Sequence, residues 1–147
     1  MVAVRQRVIN SGLRGTVAAM AMSGMRTLTG SLGLVGESPP EAVMQQSAPG
    51  LMAKVPKDKQ SAVTELAHWT FGALAGAGFA LLPAALRRYR WAGAAYGVVL
   101  LTGFEAGIAP VLGLSQAKHA RPIERLVFAA DHLLFGVVLS PPRHEHG

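Results

Sequence analysis

Five ionisable side chains, Arg26, His68, Glu105, Asp131 and His132, each stand inside a stretch of mainly apolar residues. At a bilayer centre such a residue costs on the order of 2.5–3.5 kcal/mol on insertion scales, so it normally faces a bundle interior and pairs. Two kinds of chemistry suit the set. Histidine side chains ordinarily titrate near neutrality, so His68 and His132 suit proton transfer. With Glu105 and Glu65 they also form a ligand set for a single Zn²⁺ or similar ion. Glu65 and His68 are spaced E-x-x-H, which puts both on one helix face, as in di-metal sites of helix bundles. Those sites need a second such pair, whereas Asp131 and His132 are adjacent and face about 100° apart. A di-iron centre is therefore not expected. No catalytic residue is expected either: Ser23, Thr27 and Thr29 lie near Arg26 without a nucleophile motif around them. No phosphate loop precedes a helix, and there is no cysteine to act as nucleophile or thiolate ligand. No cofactor is expected.

These residues are carried by four segments, about 11–35, 62–82, 91–110 and 122–139. Each approaches the roughly 20 apolar residues that cross a membrane at about 1.5 Å per residue. The first is weaker: it contains Arg26 and much Gly, Ser and Thr, so its neighbours rather than lipid must face it. Counting rise per residue puts Arg26, His68, Glu105 and His132 in the same half of a core about 30 Å thick. The expectation is a buried polar layer of Arg26, His68, Glu105, Asp131 and His132. In it Arg26 approaches Glu105, Asp131 or both, and His68 neighbours His132.

Prolines and caps set the boundaries. Pro122 suits a first helical turn, and Pro83 and Pro110 stand at segment ends. Ser38-Pro39-Pro40-Glu41 reads as an N-cap, two first-turn prolines and an acid at the positive helix end, predicting a short helix to about Ser47. Ala48-Pro49-Gly50 should break it. The very short connection at 87–90 forces an antiparallel hairpin, and the tail with His144 and His146 is polar.

Small residues recur at four-residue spacing, the device by which membrane helices approach closely. Gly72 and Gly76 follow His68, Gly136 and Ser140 follow His132, and Gly93, Gly97, Gly103 and Gly107 line the third segment. His68 to Gly72 and His132 to Gly136 share the pattern H-x-x-F-G, which hints at an internal duplication.

Composition agrees with a membrane placement. Of 147 residues, 50% are hydrophobic, 17 are glycine and only 15% are charged, with a mean hydropathy of +0.32. A domain of this size leaves much of itself exposed and would not hide that much apolar surface from water. The formal charge of +6 comes from short basic clusters flanking the apolar segments rather than a continuous stripe with aromatics, so nucleic acid is not an expected partner. The fold class expected is all-α: one integral membrane four-helix bundle over residues 1–147, with a short surface helix after the first span. The apolar stretch before Ala19-Met20-Ala21 is too short for a signal peptide, so the first segment is kept. The tight basic cluster at 87–90 favours both termini inside.

An N-terminal span, then Pro39-Pro40-Glu41, then His68, Trp69, Phe71 and Gly72 opening one span and His132, Leu133, Phe135 and Gly136 in the last: this layout resembles the YagU-like small bacterial inner-membrane proteins. The resemblance implies four helices in the bacterial inner membrane and no catalytic residue to carry over. The function expected is a non-catalytic small membrane protein, packing with itself as a homo-oligomer or serving as accessory subunit of a larger membrane complex. The alternative is a proton or metal-ion conduit using the polar layer.

Overall fold

The computed structural model describes residues 2–36, 39–114 and 120–140. Every regular element among them is helical. The order is α1 (Val2–Ser31), α2 (Pro39–Ser47), α3 (Pro49–Met52), α4 (Lys57–Leu81), α5 (Ala84–Arg87), α6 (Ala92–Gly103), a π-helical turn (Phe104–Ile108), α7 (Ala109–Val111) and α8 (Pro122–Leu139). The all-α expectation holds. One continuous helix among the described residues, Ala92–Val111, is both long and apolar enough to cross a membrane, at 20 residues and mean hydropathy 1.5. The other long helices carry more charge than that helix. α1 takes in Arg5, Arg7, Arg14 and Arg26, α4 begins at Lys57-Asp58-Lys59, and α8 holds Glu124, Arg125 and Asp131.

Helix ends follow local chemistry. α1 and α7 both stop at a Leu-Gly-Leu step. Gly33 at φ 69° and Gly113 at φ 67° take the left-handed conformation, while Leu34 N–H donates to Thr29 O and Leu114 N–H to Ala109 O. These 6→1 bonds are Schellman closures, in which glycine spares the Cβ clash. α1 therefore ends before residue 35 and begins well before residue 11. Pro110 cannot donate to the carbonyl four residues back, and the chain widens into the π turn just before it. α2 occupies Pro39–Ser47 with Glu41 in its first turn; Ser38 lies outside the described residues. Ala48-Pro49-Gly50 does more than break α2: Pro49, preset for a first helical turn, starts α3. Glu124 accepts from the Arg121 N–H at 2.8 Å, and Arg121 reaches Leu34 O at 3.2 Å, fastening the end of α1 to the start of α8.

The long helices pack as two close pairs. In the first, Gly15 of α1 lies against Gly72 and Gly76 of α4, so closely that a Cβ on Gly15 would overlap the Gly72 carbonyl. In the second, Gly93 and Gly97 of α6 meet Gly136 and the His132 carbonyl of α8 just as tightly. α1 also packs on α8, joining the pairs. The expected hairpin of α4 and α6 is looser than its short connection implied. α5 intervenes, and the two helices meet chiefly through Tyr96, which donates to Ala75 O at 2.8 Å and packs its ring 5.2 Å from that of Phe79. Gly103 and Gly107 differ from Gly93 and Gly97, with no atom within 4 Å of a built Cβ. They lie past the stretch of α6 that α8 covers and pack no helix here.

Candidate functional site

The gap left between α4 and α6 forms a cavity of about 280 Å³. α1 and α8 form its floor through Ala19, Met22, Phe128 and Phe135, and α2 covers one end through Pro39 and Val43. The geometry has a simple cause. Glycine contacts draw α4 onto α1 and α6 onto α8, and nothing comparable draws α4 onto α6.

Arg26, His68, Glu105, Asp131 and His132 all line this cavity. Their partnerships differ from the expected ones. Arg26 pairs with Glu65 at 2.9 Å rather than with Glu105 or Asp131. The close α1–α4 approach makes this unavoidable, since Glu65 sits one turn from His68 on the helix pressed against α1. Ser23 donates to the second Glu65 oxygen and accepts from Arg26 at 3.1 Å and from Trp69 Nε1 at 3.1 Å. His68 lies beside the guanidinium, with Arg26 Nη1 3.4 Å from its Nε2. The sequence placed Ser23 near Arg26 and Trp69 beside His68, but the parts that Ser23, Trp69 and Glu65 play in this network were not read from it. The available signal was i, i+3 spacing: Ser23–Arg26 on one helix and Glu65–His68 on the next.

This engagement also answers the metal expectation. Glu65 is occupied by Arg26 and Ser23, and His132 Nδ1 is held 2.8 Å from Phe128 O. Among the described residues, no group of three or more His, Asp or Glu side chains has metal-holding geometry, so His68, His132, Glu105 and Glu65 do not form a ligand set. His144 and His146 lie outside the described residues.

The α6–α8 side is less complete. Asp131 is 2% exposed and, among the described residues, its Oδ1 has no hydrogen-bond partner; Thr64 on α4, also 2% exposed, has an Oγ1 likewise unpartnered among them. Both line the cavity. Glu105 lines it too but is exposed, at its edge. Because Phe128 O can only accept, His132 Nδ1 must donate, which leaves Nε2 as the ring's acceptor in the neutral form. The site thus combines one satisfied ion-pair network with two buried oxygens, Thr64 Oγ1 and Asp131 Oδ1, that have no partner among the described residues. Set beside known proteins, the chain matches no protein-family model, no curated protein and no solved structure, so the chemistry of this site is read from its own residues.

Proposed function

We propose that the chain is a small integral membrane protein of the bacterial inner membrane, crossing it with four helices and both termini cytoplasmic. It acts without catalysis, by packing with a second copy or as a subunit of a larger membrane complex. The observation that carries this reading is the outer surface. Large apolar side chains stand exposed on every long helix: Val17 and Leu28 on α1, Leu66 and Leu74 on α4, Val99 and Val111 on α6–α7, and Leu126 and Val137 on α8. Water-soluble monomers rarely expose apolar surface on that scale. The YagU-like resemblance supports the same reading. Gly103 and Gly107 leave the open face of α6 free for close approach by another membrane helix.

Carbonate washing of membranes tests the placement: the protein should stay with the pellet, and release without detergent would contradict the reading. Because the chain has no cysteine, single cysteines at Val2, Leu51 and Arg88 report topology without background. Residues 2 and 88 should label from the cytoplasmic side and residue 51 from the other. For association, Gly103→Leu with Gly107→Leu should abolish the cross-linked dimer or complex while the monomer stays folded. The conduit reading draws on the ionisable side chains along the cavity, and ion flux from proteoliposomes would favour it instead.

A further inference from the structure

We propose that the cavity between the two helix pairs binds a small apolar molecule carrying a protonated amine. Size comes first. A dry cavity of about 150 Å³ holds a benzene, and this one is about 280 Å³, enough for a body of one or two rings. Its walls are mainly aliphatic and aromatic, with Phe71, Phe104 and Phe128 among them, and aromatic faces also attract cations.

The polar groups then select the head. Buried oxygen atoms in folded proteins are almost always hydrogen-bonded, yet Thr64 Oγ1 and Asp131 Oδ1 are both buried in the wall of the same cavity without a partner among the described residues. The Asp131 carboxylate can only accept, and so can His132 Nε2 once Nδ1 donates to Phe128 O. Thr64 Oγ1 and Asp131 Oδ1 thus face the cavity without a partner among the described residues, and His132 Nε2 adds an acceptor on the same wall. The one guanidinium nearby, Arg26, is already held by Glu65 and Ser23. With that charge neutralised, Asp131 and Glu105 leave the cavity lining net negative. A carboxylate ligand would meet repulsion and a neutral hydrocarbon would leave the acceptors bare. An ammonium group brings three N–H donors and a positive charge, answering both deficits. The cavity is a property of the helix packing and holds whether or not the bundle lies in a bilayer.

The test uses the full chain in nanodiscs of zwitterionic phosphatidylcholine, which do not themselves concentrate cations. Three probes share one ring system: 1-naphthylmethylammonium, 1-naphthylmethanol and 1-naphthoate, each followed by its own fluorescence. The ammonium should bind saturably at one site per chain, at least about tenfold tighter than the alcohol, with naphthoate weakest; tenfold corresponds to about 1.4 kcal/mol. Asp131→Asn and Thr64→Val should each weaken ammonium binding several-fold and leave the alcohol less affected. Thr64→Val replaces a hydroxyl by a methyl of similar size, so it keeps the fold even if the Asp131 variant does not. Equal affinity for the three probes, no saturable binding, or ammonium affinity unchanged in Thr64→Val and in a folded Asp131→Asn would overturn the proposal.

Discussion

The two helix pairs share a plan and differ in how their polar residues end up. In each, a helix closed by Leu-Gly-Leu meets a helix carrying H-x-x-F-G, and small residues bring the backbones together. In the α1–α4 pair, Arg26, Glu65, Ser23 and Trp69 satisfy one another. Across the cavity, Asp131 on α8 has an oxygen without a partner among the described residues, and Glu105 is exposed. Close helix packing therefore decides which charges meet. Glu65 reaches Arg26 because α4 is clamped on α1, whereas Asp131 and Glu105 face a gap that no glycine contact closes.

The largest expected effect breaks the shared part of the plan. Gly15→Ala and Gly93→Ala each push a methyl group into the opposing backbone, and both should cost about 3 kcal/mol or more, the upper end for overpacking. Chemical unfolding in detergent measures this, and a large loss in one pair alone would deny their equivalence.

Next comes the ion pair. Arg26→Met should destabilise by about 2 kcal/mol, less than for a fully buried pair because the Glu65 side chain keeps 30% of its exposure. Adding Glu65→Leu should recover most of the loss, since an apolar pair of similar volume often replaces a buried ion pair without cost. A double variant as unstable as the two single losses combined would mean that the residues act independently.

Smaller and opposite in sign, Thr64→Val should stabilise by about 1 kcal/mol by removing an unpartnered hydroxyl. Loss of stability there would mean that the hydroxyl already has a partner. Smallest of all, Gly103→Leu should change monomer stability by less than about 0.5 kcal/mol, because its side chain meets only open space.

Much of this fold was legible because strong local signals mark it. Pro39-Pro40-Glu41 marks α2, Pro122 marks α8, and apolar length marks Ala92–Val111. Counting rise per residue puts Arg26, His68, Glu105 and His132 at similar heights, and with Asp131 they line one cavity, although Glu105 is exposed rather than buried. Partner choice was not legible. It depends on which helices touch, and Gly15, the contact point of α1, was one small residue among many in that segment. Rise per residue gives a height in the bundle but no angle around it, so Glu65 could not be preferred over Glu105 as the partner of Arg26. The same limit hid the open face at Gly103 and Gly107, whose spacing equals that of the packed Gly93 and Gly97.

The contrast between a satisfied and an unsatisfied side of one cavity is tested most directly by neutralising one carboxylate on each. Glu65→Gln and Asp131→Asn change the same atoms in opposite situations, and their thermal midpoints can be measured side by side in the same detergent. Glu65→Gln should lower the midpoint, because Arg26 loses its charge partner. Asp131→Asn should raise it, because a buried carboxylate oxygen without a donor is replaced by a neutral amide. A fall of similar size in both variants would contradict the account, showing that Asp131 is as fully engaged in its pair as Glu65 is in the other.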